Sequence, residues 1–273
     1  MAGTINENTS QAAIPHPLHP VTQSEIERGV KILKESDQLT GHVAFSSVNL
    51  VEPAKDVVKT FTPGDSISRV LRFIGVDEHS NDSQTASFDA CVNVSSGELL
   101  EIRRDAGAQA PYGGRDFIQA IKITKADAAW QQAVRKRGIK NFDRVQIDMW
   151  PGSGPVADGV DATHRIIRTI AFLREDKTDN GYARPLHGII AHVDLTQRRV
   201  AHLEDHGVTN IPPESGRYEA AKQMSLRTDL QPIAITQPEG PSFTVDGYAV
   251  EWQKWSLRVS IHPQHGLVLH NLC

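Results

Sequence analysis

The segment QPIAITQPEGPSFTVDGYAVEWQKWSLRVSIHPQHGLVLHN, residues 231–271, decides the fold prediction. Apolar and polar side chains alternate with a period of two on both sides of Asp246-Gly247, a dipeptide typical of two-residue hairpin turns. The alternation continues to Ile261, and residues 266–269 (GLVL) form a further apolar run. Four prolines stiffen the backbone of the segment. The segment therefore predicts a proline-stiffened entry, a hairpin, a third strand and a short, buried fourth strand.

Length and charge limit the kind of protein that this chain can be. With 273 residues, 39% of them hydrophobic, it can form one large domain or two to three small ones. The formal net charge is −4 and no block of basic residues occurs, which argues against a nucleic-acid partner.

The sequence also bears on the compartment. No run of about 18 apolar residues predicts a transmembrane helix, and the first 20 residues lack the basic and apolar regions of a secretory signal. Two cysteines do not indicate a disulfide framework. We therefore expect an intracellular protein without a membrane partner.

The first third of the chain predicts an arm and a small α+β domain. Residues 1–20 are polar and rich in proline, so we expect a flexible arm; the HPLH motif at 16–19 is a solvated part of it rather than a metal site. The first domain, residues 21–106, opens with the capping box Thr22-x-x-Glu25 and a helix that ends near Asp37. Four strands are predicted to follow, at 42–50, 68–76, 87–94 and 98–103.

The middle of the chain repeats this plan. A linker of small residues at 106–114 precedes a second α+β domain, residues 112–212. Two helices are predicted at 116–123 and 125–137, and Gly138 fits the C′ position that ends the second one. Strands are predicted at 144–150, 164–174, 188–194 and 199–203. The shared order of elements predicts two structurally related units, and residues 226–273 start a third domain.

Several segments are long and specific enough to carry a resemblance to a family. The segments ITQPEGPSFTV, VEWQKWSLRV and GLVLHN, together with HPLHPVTQSEI, RPLHGIIAHVDL and VAHLEDHGVTNIPPESGRY, resemble copper- and quinone-containing primary-amine oxidases. The resemblance covers residues 16–273. It implies an α+β chain with two small helix-on-antiparallel-sheet (cystatin-like) domains, followed by the first strands of a β-sandwich catalytic domain.

The resemblance also implies a chemistry. The family oxidises primary amines with O2 to aldehyde, ammonia and hydrogen peroxide, using copper and topaquinone, and the complete protein is expected to be a homodimer. The quinone forms from a tyrosine in Asn-Tyr-Asp/Glu, and two copper ligands lie in His-x-His. None of the four tyrosines here follows Asn, and no His-x-His occurs. We therefore expect no catalytic residue, no metal ligand and no bound cofactor in this segment, which alone should be inactive.

One role that the resemblance assigns to this segment is the lining of the channel through which the amine reaches the quinone. The matching positions are Phe117, Met149, Trp150 and Tyr182. The alternative for Phe117 and Trp150 is ordinary packing in a core. Tyr182, in a loop beside Asn180-Gly181, is the residue that core packing explains least.

Two alternative functions stay open at this point. One is a non-catalytic tandem α+β binding module. The other is a metal hydrolase that uses His202 and His206, whose spacing suits a zinc site on a helix, although this segment is predicted to be a strand. The carboxylates Asp116, Asp148 and Asp194 have no partner visible in the sequence, and surface or capping roles are expected for them. The resemblance leaves the cytoplasm and the peroxisome as compartments.

Overall fold

The structure is a computed structural model that describes residues 16–80, 86–151, 157–214, 216–223 and 225–273. The chain divides into two compact units. The first contains the described residues of Met1–Ser80 and Thr85–Asp105 together with Thr236–Cys273, and the second contains those of Ala106–Ile235. The carboxy-terminal residues Thr236–Cys273 are thus grouped with the first α+β domain, and the predicted start of a third domain at residue 226 stays a prediction.

The first unit contains an α+β domain with the predicted order of elements. Helices α1 (Gln23–Glu35) and α2 (Lys55–Thr60) accompany the strands β1 (Val43–Leu50), β2 (Val70–Asp77), β3 (Ser87–Asn93) and β4 (Glu98–Arg103). The strands form one antiparallel sheet in the order β1-β2-β3-β4. The short helix α2 has no counterpart in the sequence prediction.

Helix α1 begins and packs as its sequence dictates. The hydroxyl of Thr22 accepts the N–H of Glu25, while the Glu25 carboxylate accepts the N–H of Thr22 at 2.8 Å, which completes the capping box. The helix buries Leu33 against the sheet in a core that includes Phe73. Gly29 permits this close approach, because a Cβ there would lie 2.3 Å from Cζ of Phe73.

The second unit has two consecutive helices and a second antiparallel sheet. The helices are α3 (Gly114–Ala126) and α4 (Ala128–Lys136), and the strands β5 (Val145–Pro151), β6 (Ile166–Leu173), β7 (Ile189–Asp194) and β8 (Arg199–Asp205) lie in the order β5-β6-β7-β8. Trp130 of α4 is buried in the core against this sheet. Gly138 has φ +80° and its N–H bonds the carbonyl of Arg135, so it ends α4 as predicted.

A buried arginine plays the same part in both α+β domains. Arg69, just before β2, donates to the Glu25 carboxylate at 2.7 Å and to the carbonyls of Pro17 and His19. Arg165, just before β6, donates to Asp116 at 2.9 Å and to carbonyls of residues 110 and 111. Each arginine therefore links the start of the domain's second strand to two other elements. These are the segment before the domain's first helix and the carboxylate in the first turn of that helix.

The carboxy-terminal segment forms a third sheet. Its strands β9 (Phe243–Asp246), β10 (Ala249–Trp252), β11 (Trp255–His262) and β12 (Gly266–His270) are antiparallel in the order β12-β11-β10-β9. The Asp246-Gly247 turn joins β9 to β10 as predicted. The prediction that β12 is buried is wrong, because Leu267 and Leu269 are exposed. The residues that the structure describes place no second layer over these side chains.

The flexible-arm prediction is also wrong for residues 16–20, whereas residues 1–15 lie outside the described residues. Pro17 and Leu18 are buried, and the Pro17 carbonyl accepts from Arg69. The ring of His19 packs edge-on against Tyr248 with a centroid distance of 5.1 Å. Contacts to residues distant in sequence thus order a segment whose own composition suggests mobility. The α+β class itself is confirmed.

Candidate functional site

The sheet of the second unit has one face covered by helices and one face turned away from them. Along β5, Val145 and Ile147 are buried in the core and Met149 packs against it. Because side chains alternate along a strand, Asp148 and Trp150 point to the opposite side. We call that side the outer face of the β5–β8 sheet.

The structure divides the four channel candidates between the two faces. Phe117, on α3, and Met149, on β5, are partly buried against the core and lie on the helix side. Trp150 is 60% exposed and Tyr182 is 56% exposed. The core-packing alternative therefore describes Phe117 and does not describe Trp150.

Tyr182 is held in place by local and cross-sheet contacts. It lies in a single 3-10 turn, Gly181–Ala183, whose start is capped by Asn180, with Oδ1 accepting the Tyr182 N–H at 3.1 Å. Its ring packs edge-on against Phe172 of β6 with a centroid distance of 5.0 Å. Its hydroxyl donates to Oδ2 of Asp148 at 3.3 Å. The loop residue is thus fixed over the outer face of the sheet.

For Asp148 the sequence predicted only a surface or capping role, without a link to Tyr182. The negative charge of Asp148, together with desolvation and the hydrogen bond, raises the pKa of the Tyr182 hydroxyl above its usual range. Oδ1 accepts the N–H of Met149 at 3.1 Å. Within the described ranges, no Lys, Arg or His forms an ion pair with Asp148. The signal in the sequence was its position two residues before Trp150, which places both side chains on one face of a strand.

The other two carboxylates that the sequence left without partners are structural. Asp116 accepts the Gly113 N–H at 2.8 Å and pairs with Arg165, as a capping role predicts. Asp194 is buried, so the expectation of a surface position is wrong for it. Its Oδ1 caps a turn by accepting the Gln197 N–H at 2.8 Å, and its Oδ2 bonds Nδ1 of His164 at 2.7 Å. Its partner lies on the segment before β6, a pairing that only the sheet brings about.

The histidines of the hydrolase alternative do not share a helix. His202 lies in β8 and His206 follows that strand, so the helical spacing does not apply. Glu204 instead bridges His192, at 2.6 Å, and His206, at 3.0 Å. The hydrogen bond from His192, and to a smaller extent that from His206, lowers the pKa of Glu204. Across the described residues, no three His, Cys, Asp or Glu side chains are grouped so that they could hold a metal ion.

Comparison with known families covers both α+β domains. Residues 22–101 match the AGAO-like N2 domain, and residues 115–222 match the N3 domain of copper amine oxidase. The chain belongs to the copper amine oxidase family. All four channel candidates and Asp148 lie within the N3 match.

Curated relatives agree with this family assignment, and a solved structure shares the fold. This chain is 35% identical to a primary amine oxidase of Arthrobacter sp. (strain P1) over 98% of its own length, and 34% identical to a histamine oxidase of Arthrobacter globiformis over 96%. It spans about 40% of the length of these relatives. A copper-containing benzylamine oxidase from Hansenula polymorpha shares the fold over 94% of the chain and 42% of its own, with 19% identity and a TM-score of 0.75.

Two further findings concern location. No helix among the described residues is long and apolar enough to cross a membrane. Among the relatives is a copper-containing diamine oxidase of Nicotiana tabacum that is named peroxisomal and is 28% identical over 98% of this chain.

Proposed function

We propose that this chain is the amino-terminal part of a copper-dependent primary-amine oxidase, which converts a primary amine and O2 to an aldehyde, ammonia and hydrogen peroxide. The observation that carries the proposal is the match of both α+β domains, in order, to the N2 and N3 domains of that family. The names of the curated relatives, which include primary amine oxidase and histamine oxidase, support it.

In this proposal neither copper nor topaquinone is assigned to the residues of this chain. The described residues contain no group suited to a metal ion, and the sequence has neither a Tyr after Asn nor a His-x-His pair. In this proposal both cofactors belong to the part of the relatives' length that the chain does not span. No step of the oxidation is therefore assigned to a residue described here.

The part assigned to this chain is selection of the amine before it reacts. Trp150 and Tyr182 present exposed aromatic surface on the outer face of the β5–β8 sheet, where apolar contact with the hydrocarbon part of an amine is favourable. Phe117 and Met149 lie on the opposite, core side of the sheet, where they pack against the core and position α3 and β5. The four residues then act as a channel wall with two contacting and two supporting members.

The proposal extends to assembly and location. We expect the complete protein to be a homodimer and to act inside the cell, in the cytoplasm or the peroxisome. The peroxisomal names of plant relatives support the second compartment. Size-exclusion chromatography with light scattering and imaging of a tagged complete protein test these two points.

The decisive experiment sequences the open reading frame beyond the codon for Cys273 and assays the complete protein that it encodes. After loading with copper in air, we expect amine-dependent hydrogen peroxide and a coloured adduct with phenylhydrazine. The 273-residue chain, treated in the same way, serves as the matched control and should give neither signal. A frame that closes at Cys273, or a complete protein without amine-dependent peroxide, would refute the oxidase and favour the tandem binding module.

A further inference from the structure

The Tyr182 turn, Gly181–Ala183, lies close against the outer face of the β5–β8 sheet. A Cβ atom on Gly181 would be 3.0 Å from Oε1 of Gln146 and 3.0 Å from Cβ of Phe172, so a glycine is needed for this approach. Tyr182 itself contacts the sheet through the edge of its ring and through one exposed hydrogen bond of 3.3 Å. A bond of that length lies beyond the usual range for a hydroxyl donor and holds the turn only weakly.

A later segment of the chain contacts the same turn. We call residues 206–235, between β8 and Thr236, the connector. Gly216 of the connector is buried, and a Cβ atom on it would lie 2.5 Å from the carbonyl oxygen of Asn180 and 3.0 Å from Cβ of Ala183. No side chain can be added at such a distance without moving the backbone. The connector therefore packs against both ends of the turn.

Arg217, the next residue of the connector, contacts the loop that leads into the turn. This loop, residues 174–180, joins β6 to the turn. The guanidinium donates to Oγ1 of Thr178 at 3.3 Å and to the carboxylate of Asp176, and its Nε lies 3.6 Å from Oε2 of Glu175. The side chain is only 14% exposed, which shows that it packs onto the loop instead of extending into solvent.

The loop depends on this arginine because it carries three carboxylates within the five residues 175–179. Asp179 is buried and pairs with Arg184 at 2.7 Å. Glu175 and Asp176 are adjacent at the surface, where their like charges repel one another. Arg217 offsets this repulsion. Without it, we expect the loop to shift, and the turn that follows the loop to shift with it.

We propose that Gly216 and Arg217 are positioning residues that fix the Tyr182 turn on the outer face of the β5–β8 sheet. The connector, and not the sheet alone, then sets the aromatic surface that meets the amine. The effect on amine preference rests on the proposed function, whereas the positioning of the turn does not. Arg217 acts through Tyr182, so its effect requires that side chain.

Titration of Tyr182 in the 273-residue chain measures the positioning, because the raised pKa of its hydroxyl depends first on the charge of Asp148. In Arg217→Ala the turn moves away from Asp148, and the pKa of Tyr182 should fall to its value in Asp148→Asn. Arg217→Lys keeps the charge but not the planar fork, and should restore the pKa in part. Arg227→Ala is the matched control, because Arg227 lies in the same connector, is 70% exposed and pairs with Asp229; the pKa should not change in it.

Hydrogen exchange followed by mass spectrometry shows whether the change is local. Arg217→Ala and Gly216→Ala should both lose protection in residues 174–184 and keep it in α3 and β7. An unchanged pKa of Tyr182 together with unchanged protection of the turn in Arg217→Ala would overturn the inference. If Arg217→Ala unfolds the whole second unit, Gly216→Ala decides, and an unshifted pKa of Tyr182 in that variant would overturn it as well.

A double-mutant cycle in the copper-loaded complete protein tests the effect on amine selection. Arg217→Ala should change the ratio of kcat/KM for benzylamine to that for methylamine about 2- to 10-fold, in the same direction as Tyr182→Ala. Added to Tyr182→Ala, it should have no further effect, because the residue through which it acts is absent. Additive effects of the two substitutions would contradict the proposal. If the wild-type protein oxidises neither amine, the proposed function fails, and the titration and exchange measurements alone decide the positioning.

Discussion

Replacement of Arg69 by Ala tests how the first α+β domain is held together. The side chains of Arg69 and Glu25 are only 3% and 6% exposed. The substitution leaves the Glu25 carboxylate buried without its cation, and it also removes the donors to the carbonyls of Pro17 and His19. Breaking a buried pair in this way costs about 3–5 kcal/mol, a large part of the stability of a typical domain.

Arg103→Ala is the matched control within the same sheet. Arg103 pairs with Asp89, but its side chain is 53% exposed, and exposed pairs contribute about 0–1 kcal/mol. Hydrogen exchange followed by mass spectrometry reports each unit separately. Arg69→Ala should abolish protection in α1 and β1–β4 and leave the second unit protected, whereas Arg165→Ala should do the reverse. Equal protection of α1 in Arg69→Ala and Arg103→Ala would refute the reasoning.

The same pair predicts a dependence of stability on pH. Burial raises the pKa of Glu25, but hydrogen bonds from Arg69 and Thr22 outweigh burial and lower it below its ordinary value. A group whose pKa is lowered by folding stabilises the fold above its unfolded pKa, and this contribution is lost as the pH falls through the folded pKa. The free energy of unfolding should therefore fall below about pH 4.5, less steeply in Glu25→Gln.

Three further predictions concern packing, titration and association. Gly29→Ala should destabilise the first domain by about 1–3 kcal/mol in urea unfolding, because the new methyl group overlaps Phe73. Gly114→Ala is the control and should not destabilise the chain, because no atom lies within 4 Å of the added methyl group. Equal stabilities of the two variants would contradict this prediction. Asp148→Asn should lower the pKa of the Tyr182 hydroxyl, which an ultraviolet difference titration measures with Tyr182→Phe to identify the signal. An unchanged pKa would show that the charge of Asp148 does not act on the Tyr182 hydroxyl. The 273-residue chain should associate with increasing concentration in sedimentation velocity, because its third sheet exposes large apolar side chains, and a monomer at every concentration would contradict this. These side chains include Phe243, Trp252, Trp255, Ile261, Leu267 and Leu269.

Local patterns in the sequence predicted most of the secondary structure. The capping box at Thr22 marked the start of α1, and Gly138 marked the end of α4, because both depend on backbone positions a few residues apart. The alternation of apolar and polar residues located β9–β11, because a period of two in the sequence directly indicates a strand. The short helix α2 has too few turns to show a period, and it was missed.

Contacts between distant residues could not be predicted in this way. Leu18 is buried because Arg69 holds the preceding carbonyl, and no local pattern reveals that bond. The burial of β12 was predicted from its apolar run, but composition does not show whether another layer covers a strand. The resemblance gave the positions of Trp150 and Tyr182, whereas the role of Asp148 required the hydrogen bond that joins β5 to the Tyr182 turn.

The central claim is that the outer face of the β5–β8 sheet selects the amine. The most direct measurement is kcat/KM of the copper-loaded complete protein, with Tyr182→Ala and Trp150→Ala, for methylamine and benzylamine. Apolar contacts in a pocket discriminate by about 1–3 kcal/mol, so each variant should change the preference between the two amines roughly 5- to 150-fold while the protein stays folded. An unchanged preference in both variants would contradict the account.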